Sequence, residues 1–151
     1  MKMGRKIRKF LALNTKMKML YLEAILYLGY ARILVFLPFS KVAPSLGAEM
    51  TESSYFLENT DTVEVTEISK AVNNVSHHTF WESKCLVRAI AGMKMLERRK
   101  IDSTLYLGTG KDSSGKMIAH AWLRTGELYI TGADVMNRFT VVGKFAKINE
   151  V

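Results

Sequence analysis

The chain reads as an α+β domain, helices first and an antiparallel sheet after. Three observations predict this. Apolar residues recur at helical spacing as far as residue 96. From residue 103 the pattern changes to the two-residue alternation of strands. The stretches GKDSSGK and TG then divide the alternating runs as hairpin turns do. Helices followed by strands is the α+β order. At 151 residues and 48% hydrophobic composition, the chain suits one domain with a real core.

The elements follow in order. Residues 1–18 carry seven basic groups (Lys2, Arg5, Lys6, Arg8, Lys9, Lys16, Lys18) and no acid. They read as a solvated basic tail. The net charge of +8 belongs almost wholly to this tail, because the other residues hold 15 basic and 14 acidic groups. A nearly neutral body argues against nucleic acid as partner. The uses left to such a tail are an anionic membrane surface or an acidic partner.

Residues 19–50 form a hydrophobic helical segment. Met19 to Leu37 approaches the length of a membrane span. Glu23 and Arg32 interrupt it, and each is costly inside a bilayer. They lie nine residues apart, on opposite sides of a helix, and cannot pair with each other. A signal peptide would also begin with basic residues and an apolar run, but this run is long and no A-x-A site follows. The expectation is a helix packed on the domain, with no more than peripheral membrane contact. It should stop before Pro38. Pro44 and Gly47 mark a turn.

Residues 51–151 form the core, folded together with 19–50. Residues 51–60 read as a loop. Val65, Ile68, Val72 and Val75 then repeat at helical spacing, with Thr62 as N-cap. SHHTFWES connects to a second helix, whose stripe is Leu86, Ala89, Ile90, Met93 and Leu96. Arg98, Arg99 and Lys100 suit its C-terminal end. Residues 103–108, 117–124, 127–131 and 138–146 read as strands.

Two residues carry chemistry. The chain has one cysteine, so no internal disulfide forms, and the thiol is suited to a reducing, cytoplasmic setting. Cys85 falls at the start of its helix, where unpaired N–H groups place partial positive charge beside the sulfur and favour the thiolate. The ordinary alternative is a small buried hydrophobe. His120 sits in IAHAWL, where alternation gives it the same strand face as Ile118 and Trp122. The ordinary alternative there is a packed core histidine. A helix–strand–strand unit can bring that helix start to the second strand, so that thiol and imidazole meet. Asp134 is the first acid near the end of the next strand and the leading candidate to orient the imidazole. Asp112 and Glu127 are the alternatives. No metal-ligand spacing and no nucleotide-binding glycine motif is present.

A cysteine at a helix start, HAW on a strand and an acid near the end of the next strand together resemble the transglutaminase-like/papain-like cysteine-enzyme core. More narrowly, the chain is similar to the leader peptidases of lasso-peptide biosynthesis, the stand-alone protease half of the split B protein. The blocks WESKCLVRAIAGMKMLERRKI, LYLGTGKDSSGKMIAHAWLRTGELYITG and FTVVGKFA carry the likeness, with EAILYLGYARILVFLPF as a weaker N-terminal match. The resemblance implies a cysteine peptidase with Cys85 as nucleophile, His120 as general base and acid, and Asp134 as third member, in a reaction that requires neither metal nor organic cofactor. The carboxylate usually stands in a DP context, whereas here the stretch is ITGADVMNR. The substrate implied is a ribosomally made precursor peptide. The partners implied are a separate leader-binding protein and the lasso cyclase. Trp81 and Trp122 are expected to wall the cleft, and His77 and His78 to be connector residues. The competing readings are an acyltransferase or transglutaminase of the same fold, and a non-catalytic membrane-associated adaptor.

Overall fold

A computed structural model describes residues 2–79 and 84–149. The central helix carries apolar groups almost all round because it is packed on almost every side. This is α5 (Cys85–Arg98), with Val87, Ala89 to Met93, Met95 and Leu96 buried. It lies against a sheet on one side and against α2 (Thr15–Leu34) and α4 (Thr62–Ser76) on the other. Asn14 caps α2 by accepting from the Met17 N–H at 2.8 Å. The cap of α4 is Asp61, which accepts from Val63 and Glu64, so the helix starts as expected but is capped one residue before Thr62.

The sheet has five antiparallel strands in the order β1-β5-β2-β3-β4. They are β1 (Ala48–Glu49), β2 (Ser103–Lys111), β3 (Met117–Thr125), β4 (Leu128–Thr131) and β5 (Thr140–Lys147). The hairpins β2–β3 and β3–β4 stand where the alternation and the turn residues put them. The fold class is therefore the one expected. Strand β1 was hidden in the sequence, since two residues carry no period. It pairs with β5 through Ala48↔Ala146 and Glu49↔Phe145.

Three further features depart from the sequence reading. The basic segment contains a helix, α1 (Lys2–Leu11), which buries none of its residues. Lys16 and Lys18 belong to α2 rather than to a tail, and Lys16 pairs with Glu67 of α4 at 3.2 Å. Residues after Pro38 form a short α3 (Phe39–Val42) and a 3-10 turn (Ala43–Leu46). A second 3-10 turn (Ala133–Arg138) replaces the start of the last expected strand. Among the described residues no helix is long and apolar enough to cross a membrane.

Glu23 is buried in α2, where a lone carboxylate would be costly. Its partner comes from α5. Arg99 donates from Nη1 and Nη2 to the two Glu23 oxygens at 2.8 and 2.7 Å, and from Nε to Glu64 of α4 at 2.9 Å. Arg98 adds a 3.4 Å ion pair. Burial works to raise the Glu23 carboxyl, but the Arg99 hydrogen bonds and both arginine charges outweigh it and hold the group below its ordinary value of 4.5.

Removing Arg99 leaves a buried carboxylate without its fork, so Arg99→Ala should destabilise the fold by about 3 kcal/mol in urea denaturation. The native state binds this proton less readily than the unfolded chain. The associated stability is therefore present above pH 4.5 and is lost as pH falls through the depressed native value. Glu23→Gln should flatten that acid limb of a stability–pH curve. An unchanged limb would show that Glu23 does not contribute to it.

Candidate active site

Cys85 is the first residue of α5 and is half-buried against the helical core. Lys84 is the N-cap, with extended backbone at φ −70° and ψ 176°, and its side chain makes no cap bond. The first-turn N–H groups therefore receive no capping oxygen from that residue.

The level of Cys85 along the sheet follows from packing. Helix α5 leads into β2 through residues 99–102, so it runs antiparallel to β2 and parallel to β3. Gly92 abuts Leu123 of β3 so closely that a Cβ would stand 2.8 Å from its side chain. Cys85 lies seven helical residues back from Gly92, about 10 Å. His120 lies three strand residues back from Leu123, also about 10 Å. The Cys85 and His120 backbones are thus set back by similar lengths from the Gly92–Leu123 contact.

Thiol and imidazole do not share a face of β3. Ala121 and Leu123 join the core under α5, while His120 and Trp122 alternate to the other side. There Trp122 stacks on Tyr106 with ring centroids 5.5 Å apart. His120 lies between Trp122 at 5.9 Å and Phe139 at 5.0 Å, nearly parallel to both. Gly108, directly opposite His120 in the β2–β3 register, makes this stack fit. A Cβ there would come within 2.8 Å of both Phe139 and the Trp122 ring. Strand β4 pairs β3 only over Leu123 to Thr125. Beside His120 the neighbouring chain is instead Gly132 and the 3-10 turn that follows it.

The far nitrogen of the imidazole is engaged there. His120 Nε2 lies 2.7 Å from the Gly132 carbonyl oxygen. A carbonyl only accepts, so Nε2 carries the proton and Nδ1 keeps its lone pair in the neutral ring. Gly132 holds φ +76°, and a Cβ on it would lie 2.5 Å from the Ala121 carbonyl oxygen and 3.1 Å from Nε2. Asp134, two residues on, is exposed in the first turn of the second 3-10 segment and makes no hydrogen bond to His120 among the described residues. The expected carboxylate position is thus filled by a backbone oxygen. Asp112 is committed elsewhere. Its carboxylate accepts from Ser114 and Lys116 within the β2–β3 turn, and these bonds, led by the Ser114 hydroxyl, lower its pKa. Glu127 is exposed in the β3–β4 turn.

Trp122 is buried beside the imidazole. Trp81 lies outside the described residues. His77 is the C-cap of α4, and the His78 ring receives Lys6 Nζ at 3.3 Å, so both sit in the connection out of α4. Among the described residues no cluster of three metal-ligating groups occurs. Phe139, Gly108 and Gly132 were missed from the sequence. Only the hairpin register around DSSG could have placed Gly108 opposite His120.

Searches of characterised proteins and of solved structures return no match. A sequence family does match, over residues 33–144, which takes in α3 to α5 and nearly all of the sheet. By that match, and with the helix-then-antiparallel-sheet architecture it requires, the chain belongs to the transglutaminase-like superfamily.

Proposed function

We propose that the protein is a cysteine peptidase that removes the leader from a lasso-peptide precursor. The observation that carries the chemistry is the His120–Gly132 hydrogen bond, which leaves the Nδ1 lone pair available as a base in a chain whose one thiol stands at a helix start. The superfamily match supports a cysteine peptidase or acyl-transfer enzyme. The lasso-precursor substrate rests on the resemblance of the Cys85 and HAW blocks.

In this mechanism the start of α5 and strand β3 must first bring thiol and imidazole together; Nδ1 then takes the Cys85 proton and the thiolate attacks the scissile carbonyl carbon. First-turn N–H groups of α5 stabilise the oxyanion. The imidazolium returns its proton to the leaving amine as the C–N bond breaks, leaving an acyl thioester. Water, deprotonated by His120, then releases the leader as a carboxylate and restores the thiol. The Gly132 carbonyl, rather than Asp134, holds the imidazole in the required tautomer. A separate leader-binding protein presents the precursor, and the lasso cyclase receives the product in the cytoplasm.

Cleavage of a lasso precursor, incubated with this protein and a leader-binding partner, is read by mass spectrometry. Cys85→Ala should abolish it and cost roughly 1 kcal/mol of stability or less. Normal cleavage by folded Cys85→Ala refutes the peptidase reading. A product carrying an added amine in place of the free acid would identify acyl transfer instead.

The orienting group is tested separately. Asp134→Asn should keep turnover within about threefold, since a neutral carbonyl already holds Nε2. A loss on the order of 10²-fold or more would return the role to the carboxylate. Gly132→Ala should displace the imidazole and lower turnover by about 10²-fold, with circular dichroism as folding control.

A further inference from the structure

A helix packed against a domain normally turns polar groups outward, and beyond Lys18 α2 does not. Its inner face buries Leu20, Ala24, Leu28 and Ala31. Its outer face is apolar as well. The exposed residues from Met19 to Ile33 are all aliphatic or aromatic, the Tyr30 hydroxyl being their one polar group, with Leu22 49%, Leu26 73% and Ile33 66% exposed. The row continues past the helix end through Phe36, 73% exposed. It runs for about 20 Å along the helix axis. Scattered apolar residues are ordinary on a surface, but a continuous row this long marks a contact.

Charge identifies the occupant. Glu23 is the only acid from residue 2 to residue 34, and it is turned inward and paired. The surface of α1 and α2 therefore presents basic groups and no carboxylate. Helix α1 is itself two-sided. Met3, Ile7 and Leu11 recur every four residues and are exposed, while Lys2, Arg5, Lys6, Arg8 and Lys9 supply its cations. It is held to the body by Phe10 on Tyr21, with centroids 6.2 Å apart, and by Lys6 at His78. A basic amphipathic helix beside an apolar helix face has the chemistry of an interfacial membrane contact.

We infer that α1 and the outer face of α2 dock the protein onto an anionic lipid bilayer. The apolar row enters the headgroup boundary, and the α1 cations meet the lipid phosphates. The docking is peripheral and does not depend on the substrate assigned to the active site.

Flotation of the full-length protein with phosphatidylglycerol–phosphatidylcholine vesicles tests this, against vesicles of phosphatidylcholine alone. Binding should be at least about tenfold stronger to the anionic vesicles and should weaken in high salt. Arg5→Glu with Arg8→Glu should weaken it by about tenfold or more. Leu22→Glu with Leu26→Glu should abolish it at low salt without lowering the melting temperature, because both side chains point outward. Three results would each overturn the inference. One is wild-type protein that stays unbound with anionic vesicles. Another is a Leu22/Leu26 double variant that binds as wild type does, which would make binding a matter of tail charge alone. The third is self-association on this face, abolished by the same double variant, which would make the occupant a second copy.

Discussion

One guanidinium fixes the helical layer. Arg99 stands just past the end of α5 and ties α2 through Glu23 and α4 through Glu64, while also donating to the Met95 carbonyl of its own helix. Three helices meet at this planar fork, and a lysine could not reproduce it, because a point cation offers no paired parallel donors. The position of α5 matters most, because Cys85 begins it. Arg99 restrains one end of the helix, and the Gly92–Leu123 contact sets its height on the sheet. The level of the thiol is thus a consequence of packing some distance from it.

The other face of the sheet has its own polar anchor. Arg124 is fully buried and donates to the Tyr106 hydroxyl, the Gly126 carbonyl and the Ser53 carbonyl, at 2.9, 2.7 and 3.0 Å. Its guanidinium also lies 3.8 Å from the Tyr55 ring centroid. Tyr106 in turn donates to Glu52 at 2.6 Å. Burial, then the bond to Glu52, drives the Tyr106 hydroxyl well above its ordinary value, so it stays a donor. This network holds residues 52–55 on the sheet. It also fixes Tyr106, on which Trp122 stacks, and Trp122 stacks on His120. The imidazole plane is therefore set by a chain of rings that begins at a buried arginine.

Much of this was legible in the sequence, and the remainder was not for physical reasons. Helices α4 and α5 and the two hairpins show because one buried face imposes a period on each. Strand β1 and the 3-10 turns are too short to carry a period. Helix α1 buries nothing, so no core selected its apolar spacing, and charge dominated its reading. Glu23 was recognised as costly, but its partner lies 76 residues away and no local rule connects them. Arg124 is fully buried, and alternation cannot show that, because it does not distinguish a face covered by a loop from one open to water. At the candidate site, residue type and context nominate Cys85 and His120. They do not nominate the partner of the imidazole, because a backbone carbonyl leaves no mark in side-chain identity. Only the glycine that lets the chain turn at φ +76° records it.

That substitution of a carbonyl for a carboxylate has an electrostatic consequence for the proposed peptidase. A carboxylate on Nε2 fixes the tautomer and also stabilises the imidazolium. A carbonyl fixes the tautomer equally well but brings only a dipole, so the charged ring gains less from it. An ion pair between thiolate and imidazolium then depends more on what surrounds the sulfur. The start of α5 supplies partial positive charge there, and the side chain of Lys84 adds no capping oxygen to neutralise it. On the imidazole side the rings of Trp122 and Phe139, both stacked against His120, restrict its plane, so this side of the proposed site supplies orientation rather than added charge.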